Sequence, residues 1–249
     1  MDKVCLEKQI DSQIKAFSRF MGISEFPAYD LQTKEASIET ADLQGFEVVA
    51  SASYQPKTNR HSLLVSTNLD LPRYVFYHEF THMLDSELYA KSDSIRYAGL
   101  SGFTEYHASQ IELMQLLGTI SVSDALSFSM NDTIATISGK KRVVEYVEEK
   151  RQHAIELFGR EDFPADLNTL KSAFGVLFNY LGLRSICEMY SSDYIEKTDN
   201  AAFLRFIPTT NFVAINTLMH GWLDNSKIDM GINVYLNTLF PLIKEFRLA

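Results

Sequence analysis

Five consecutive residues, His78-Glu79-Phe80-Thr81-His82, constrain this chain more than any other feature of it. In a helix His78 and His82 lie one turn apart and project from the same face. Two imidazoles so placed can hold one Zn²⁺ ion at about 2.0–2.1 Å each. Glu79 is offset around the helix from the first histidine, so its carboxylate reaches water beside the ion rather than the ion itself. This is the HExxH arrangement, in which the glutamate is general base for attack of water on a peptide carbonyl. The motif demands a helix, and the pattern predicts one from Asn68-Leu-Asp70 to about Leu88. Asp70 is the expected cap, Pro72 lies in the first turn, and Phe76, Phe80 and Leu84 form the side facing the core.

Two histidines leave zinc short of a ligand, because a catalytic site normally has three protein ligands and an open position. The stretch Ser101-Gly-Phe-Thr-Glu-Tyr-His-Ala-Ser-Gln-Ile-Glu-Leu113 supplies Glu105, His107 and Glu112 as candidates. A second helix is predicted from Thr104 to about Leu117, with Ser101 or Thr104 as its cap. Glu105 and Glu112 share one face of it, roughly 10 Å apart along the axis, so one of the two is expected at the ion. His107 points roughly 160° away from Glu105 at 100° per residue and cannot join it on one regular face. Asp85 is too short to fold back onto the ion but can orient an imidazole from behind.

Elsewhere the chain divides in two. Residues 3 to 21 carry Val4, Ile10, Ile14, Phe17 and Phe20 at helical spacing, and Gly22 is the expected stop. Phe46 to Tyr54 and His61 to Thr67 read as short strands around the polar turn Gln55 to Arg60, an antiparallel pair. Beyond residue 120 strand signals fade, and helices are predicted over 141–158, 165–182, 209–222 and 229–246, with Pro241 kinking or ending the last. The expected architecture is α+β: residues 1–120 form a core with a small antiparallel sheet, and residues 121–249 form a mostly helical region packed on it.

Composition narrows the setting. The 249 residues are 46% hydrophobic and 22% charged, which excludes a disordered chain. Thirty-two acidic against 23 basic residues give a formal charge of -9. That balance, with no helix-turn-helix in view, argues against direct nucleic-acid binding and against anionic lipid. No apolar run of about 18 residues is present, so no membrane span is expected. Charges break up the apolar residues at the N-terminus, unlike a secretory signal, and a cytoplasmic protein is expected. Cys5 and Cys187 are the only cysteines, too few for a disulfide framework or a cysteine zinc site, and Cys187 is expected to be buried and inert. His61 or Ser62 is a candidate to face the cleft, and Tyr97, Tyr106 and His107 are candidates to donate to the oxyanion of a tetrahedral intermediate. His153 and His220 are expected to be structural among apolar neighbours, and Trp222 to fill an interhelical gap.

A helix bearing HExxH, followed after about two dozen residues by a glutamate on a second helix, resembles the glutamate-type zinc peptidases, the gluzincins. More narrowly, Glu105-Tyr-His-Ala-Ser-Gln-Ile-Glu-Leu113 resembles the ExxAnxFAxxL pattern of the ImmA/IrrE family. Ser109 and Ile111 stand where that pattern has asparagine and phenylalanine, and Thr81 where the family usually has glycine. The resemblance covers roughly residues 1 to 120. It implies a compact zincin-like metallopeptidase core, Glu105 as third zinc ligand beside His78 and His82, and Glu79 as catalytic residue. It also implies a protein or peptide substrate, as for a specific regulatory protease. The competing expectation is a non-catalytic sensor or protein-binding module that keeps the zincin fold.

Overall fold

The computed structural model describes residues 3–35, 49–164 and 166–246. The N-terminal helix α1 (Lys3–Met21) buries Leu6, Ile10, Phe17 and Phe20, with Ile14 partly covered. Val4 lies outside the described side chains. The helix ends at Gly22 as expected, where Ile23 N–H donates to Ser18 O and Gly22 N–H to Arg19 O, the hydrogen-bond pair of a Schellman stop.

Three strands follow: β1 (Tyr29–Lys34), β2 (Ala50–Gln55) and β3 (Arg60–Ser66). β2 and β3 are the expected antiparallel pair, with Tyr54 opposite His61 and Ala52 opposite Leu63. Residues 46–48 of the expected first strand lie outside the described residues. The expectation of a purely antiparallel sheet is corrected, because β1 adds to the far side of β3 in parallel, giving the order β1-β3-β2. β1 carries four polar residues among six and has no fully buried position, so its apolar signal is weak. β3 is the central strand, and its alternating residues His61, Leu63 and Val65 are buried.

Helix α2 (Arg73–Asp85) carries the HExxH residues. Asp70 does not cap it: the chain enters through Pro72, whose extended backbone occupies the cap position with no side-chain hydrogen bond. The helix continues into a wide turn at Ser86–Ala90, close to the expected end. Phe76, Phe80 and Leu84 are buried, and Phe17 of α1 meets Tyr77 and Phe80 edge-on with ring centroids 5.2 and 5.5 Å apart. Those aromatic contacts hold the helix by its apolar side and leave the histidine side free for the site.

Helix α3 (Ser94–Leu116) begins ten residues earlier than the sequence suggested. Asp93 is the cap, its Oδ1 accepting from Ile95 N–H at 2.7 Å and Arg96 N–H at 2.9 Å. Gly99 and Gly102 depress helix propensity locally and hid the first turns. Gly102 is needed for packing, since a Cβ there would stand 2.7 Å from the Tyr235 ring and 3.0 Å from the Phe178 ring.

Beyond residue 120 the chain is mostly helical, as expected, with one short hairpin, β4 (Thr133–Thr136) with β5 (Gly139–Arg142), that no strand signal announced. Helix α4 (Val143–Gly159) follows closely on the expected position. Helix α5 (Leu167–Tyr190) runs eight residues past its expected end because Leu183, Ile186 and Cys187 keep it buried. A single turn α6 (Ala201–Leu204), α7 (Thr209–Leu218) and α8 (Asn225–Phe246) complete the chain. Pro241 sits inside α8 without ending it. Leu239 and Leu242 are buried on either side, and that packing offsets the lost backbone hydrogen bond.

α3 packs against α2 on one side and against α5 and α8 on others, so both halves of the chain share one apolar core. Among the described residues no helix is long and apolar enough to cross a membrane.

Candidate metal centre

The site is assembled where α2 packs on α3. His78 and His82 project one turn apart from α2, with ring centroids 4.8 Å apart and ring planes at 75°. Glu105 meets them from α3: its Oε2 lies 3.5 Å from His78 Nε2 and 3.6 Å from His82 Nε2. One donor atom from each of the three residues falls within 4.8 Å of the others, and the group can hold a metal ion. Bonds of 2.0–2.2 Å in a tetrahedron put neighbouring ligand atoms about 3.3–3.6 Å apart, so the two measured edges fit. The side chains of His78, His82 and Glu105 keep 16%, 15% and 28% of their surface, which leaves the group open to solvent on one side.

Each imidazole is held from behind. His78 Nδ1 lies 2.8 Å from Glu112 Oε2, and His82 Nδ1 lies 2.9 Å from Thr104 Oγ1. With Nδ1–H donating to these acceptors, Nε2 is the atom each ring turns toward Glu105. Of the two glutamates, Glu105 is the one that joins His78 and His82 in the group that can hold a metal ion. Glu112 meets the other edge of the same imidazole and is itself almost buried, with 9% of its side chain exposed.

The charges show what the site favours. Burial alone would depress the His78 imidazole, but hydrogen bonds to Glu105 and Glu112 overcome it and raise its pKa from 6.5 to about 10. Burial lowers His82 to about 4, and the neighbouring charge on His78 works in the same direction. Burial works against ionisation of Glu105 and Glu112 too, but the imidazoles hold both carboxyls below their ordinary range. Glu79 is pushed up to about 7, chiefly by burial and further by Glu105 and Glu112. Three carboxyl groups thus surround a histidine that keeps its proton far above its usual range. A cation is favoured at this spot, and a metal ion at Nε2 would replace that proton.

Glu79 stands near the group, close enough for the charges of His78, Glu105 and Glu112 to act on its carboxyl. Its Oε2 accepts Ala52 N–H from β2 at 2.6 Å, which ties the carboxylate to the edge strand. Tyr54, two residues along the same edge, donates its N–H to the Tyr97 hydroxyl at 3.4 Å.

Other expectations turn out differently. Asp85 does orient an imidazole, but it is that of His107, at 2.9 and 3.1 Å from Nδ1. His107 is therefore committed between α2 and α3. Tyr106 is buried and its hydroxyl donates to Gly221 O at 2.5 Å. Of the three residues expected as oxyanion donors, Tyr97 is the one at the β2 edge. His61 is buried against Tyr54 and pairs through Nε2 with Glu87 Oε2 at 3.0 Å. His220 is not among apolar neighbours: it is exposed between α7 and α8, with Nδ1 2.8 Å from Glu188. Trp222 packs on the core and donates Nε1–H to the Tyr190 hydroxyl at 2.9 Å. Cys187 is buried, and burial pushes its thiol up to about 12.

Sequence reasoning missed Thr104, the Ala52 backbone and Tyr146, whose hydroxyl donates to Glu112 Oε1. Thr104 had a signal, since it precedes Glu105 and borders the same helix face. Ala52 and Tyr146 had none, because the fold alone brings β2 and α4 to this place. The chain shows no significant similarity to any known protein family, curated protein or solved structure.

Proposed function

We propose that this protein is a zinc-dependent metallopeptidase with a zincin-like core, cleaving a peptide bond in a protein or peptide substrate. The observation that carries the reading is the joining of His78, His82 and Glu105, with Glu105 at tetrahedral-edge distance from both imidazoles and Glu79 next in sequence to His78. Two imidazoles and one carboxylate, with open access on the fourth side, form the donor set of catalytic zinc sites. The resemblance of the two motifs to the gluzincins, and to the ImmA/IrrE family in particular, points the same way.

When bound, zinc supplies Lewis acidity toward a carbonyl and makes water a better proton donor at neutral pH. The remaining work belongs to this chain. Glu112 and Thr104 hold the two imidazoles with Nε2 forward, so the donor set needs no reorganisation. Ala52 N–H fixes the Glu79 carboxylate through one of its oxygens. Glu79, with its pKa near the working range, takes the proton of the attacking water and delivers it to the leaving nitrogen. Tyr97 of α3, whose hydroxyl accepts Tyr54 N–H at the edge of β2, would meet a substrate lying along that strand. The acidic surface favours a substrate other than nucleic acid.

Glu79→Gln tests the reading, because glutamine still accepts from Ala52 N–H but cannot act as base. The expected result is normal zinc content with hydrolysis of a susceptible substrate from a peptide library reduced by about 10²–10⁴-fold. Equal rates at matched zinc content would refute the role of Glu79. Zinc binding with no cleavage of any library peptide by the wild type would favour a non-catalytic sensor or binding module.

A further inference from the structure

The helical second half of the chain reaches the candidate metal centre from two helices, through Asn179 of α5 at Glu105 and through Tyr146 of α4 at Glu112. Tyr146 projects from the first turn of α4, is 7% exposed, and donates its hydroxyl hydrogen to Glu112 Oε1. The other oxygen of that carboxylate, Oε2, lies 2.8 Å from His78 Nδ1. Glu112 is thus held between a tyrosine of α4 and the imidazole that faces Glu105. The start of α4 is itself anchored, with Val143 N–H donating to Asp132 O and Val144 N–H to Met130 O, both at 2.9 Å.

We infer that Tyr146 is a positioning residue of the metal centre, holding the Glu112 carboxylate in the orientation that aims His78 Nε2 at the ion. The inference rests on the metal-centre reading above and extends it to a residue outside the motif-bearing segment. A buried carboxylate with one oxygen unpartnered is costly and turns to find a donor. Removing the Tyr146 hydroxyl leaves Glu112 Oε1 in that state and loosens its hold on Nδ1–H. Outer partners of ligating histidines typically account for 10- to 100-fold in metal affinity.

The experiment measures zinc affinity of the full chain by competition with a chelator of known affinity, and the visible absorption of the cobalt-substituted protein. Tyr146→Phe should bind zinc about 10- to 100-fold more weakly and show a shifted cobalt spectrum. Val147→Ala, a neighbouring buried truncation on α4 whose side chain can make no hydrogen bond to Glu112, should keep wild-type affinity and spectrum despite lowered stability. Glu112→Gln should weaken binding, and adding Tyr146→Phe to it should cost little more, because both act through one carboxylate. Wild-type affinity and spectrum in Tyr146→Phe would overturn the inference. So would equal weakening in Val147→Ala, or losses that multiply in the double variant. In each of those cases a wild type that binds zinc, and a His82→Ala variant that does not, would leave the metal centre standing. A wild type that takes up neither zinc nor cobalt would overturn both.

Discussion

Replacing Gly182 by alanine sets two effects of known size against each other. Gly182 lies in the interior of α5, where alanine is favoured over glycine by roughly 0.8–1.0 kcal/mol in an unobstructed helix. The site is obstructed. A Cβ would stand 2.2 Å from the Tyr106 carbonyl oxygen, 3.0 Å from its carbon and 3.0 Å from Ser109 Cβ. Ordinary contact begins near 3.4 Å, so the nearest approach is short by about 1.2 Å (3.4 less 2.2), and the obstruction is backbone that cannot swing aside. α3 and α5 would have to separate, and overpacking of this kind costs typically about 1–3 kcal/mol. The steric cost wins, with a net loss of up to about 2 kcal/mol, or up to roughly 8 °C in Tm for a chain of this size. Tyr106 follows Glu105, so the separation also draws Glu105 from the histidines and lowers zinc affinity. Gly175 on the same helix is the control: its added Cβ meets nothing nearer than 3.9 Å, and Gly175→Ala should be neutral or stabilising. Thermal melts and zinc titrations of the two variants test this. Equal or higher stability in Gly182→Ala would refute the close approach of α3 and α5.

Glu105→Ala should abolish stoichiometric zinc, whereas Glu112→Ala should weaken binding without abolishing it; the reverse order by elemental analysis would show Glu112 to be the ligand. Thr104→Val removes the acceptor for His82 Nδ1–H at nearly constant shape and should lower zinc affinity about 10- to 100-fold, read by chelator competition. In chelator-treated protein the raised His78 pKa contributes stability that is full below its unfolded value near 6.5 and is lost as pH rises toward 10. Tm of the metal-free protein should therefore fall over that window, and the fall should flatten in His78→Gln; identical slopes would refute the assignment. Zinc uptake at pH 8 should release about one proton or more per ion, detected with a pH indicator, since His78 must lose its proton to bind.

The helix bearing His78 and His82 on one face is legible in five residues because helical spacing is a local property: the two share a face in any regular helix containing them. The same holds for the apolar stripe of α1, for the stop at Gly22 and for the β2–β3 pair, whose short polar turn restricts the partners. Where the sequence misled, a long-range contact had overruled a local preference. The expected helix began only at Thr104, yet the earlier turns form and their Gly99 and Gly102 let α8 and α5 approach α3. Pro241 left a kink or an end of the last helix open, and buried Leu239 and Leu242 carry the helix past it. β1 carries too few apolar residues to announce itself and exists because β3 offers it a free edge. Placing Glu105 and Glu112 on one helix face left open how both could serve one site. The structure resolves it through the imidazole, whose two nitrogens face opposite ways and let a single histidine meet both carboxyl groups. No periodicity could bring Ala52 to Glu79 or Tyr146 to Glu112. Those contacts join segments 27 and 34 residues apart, and only the packing of strand β2 and helix α4 around α2 and α3 decides them.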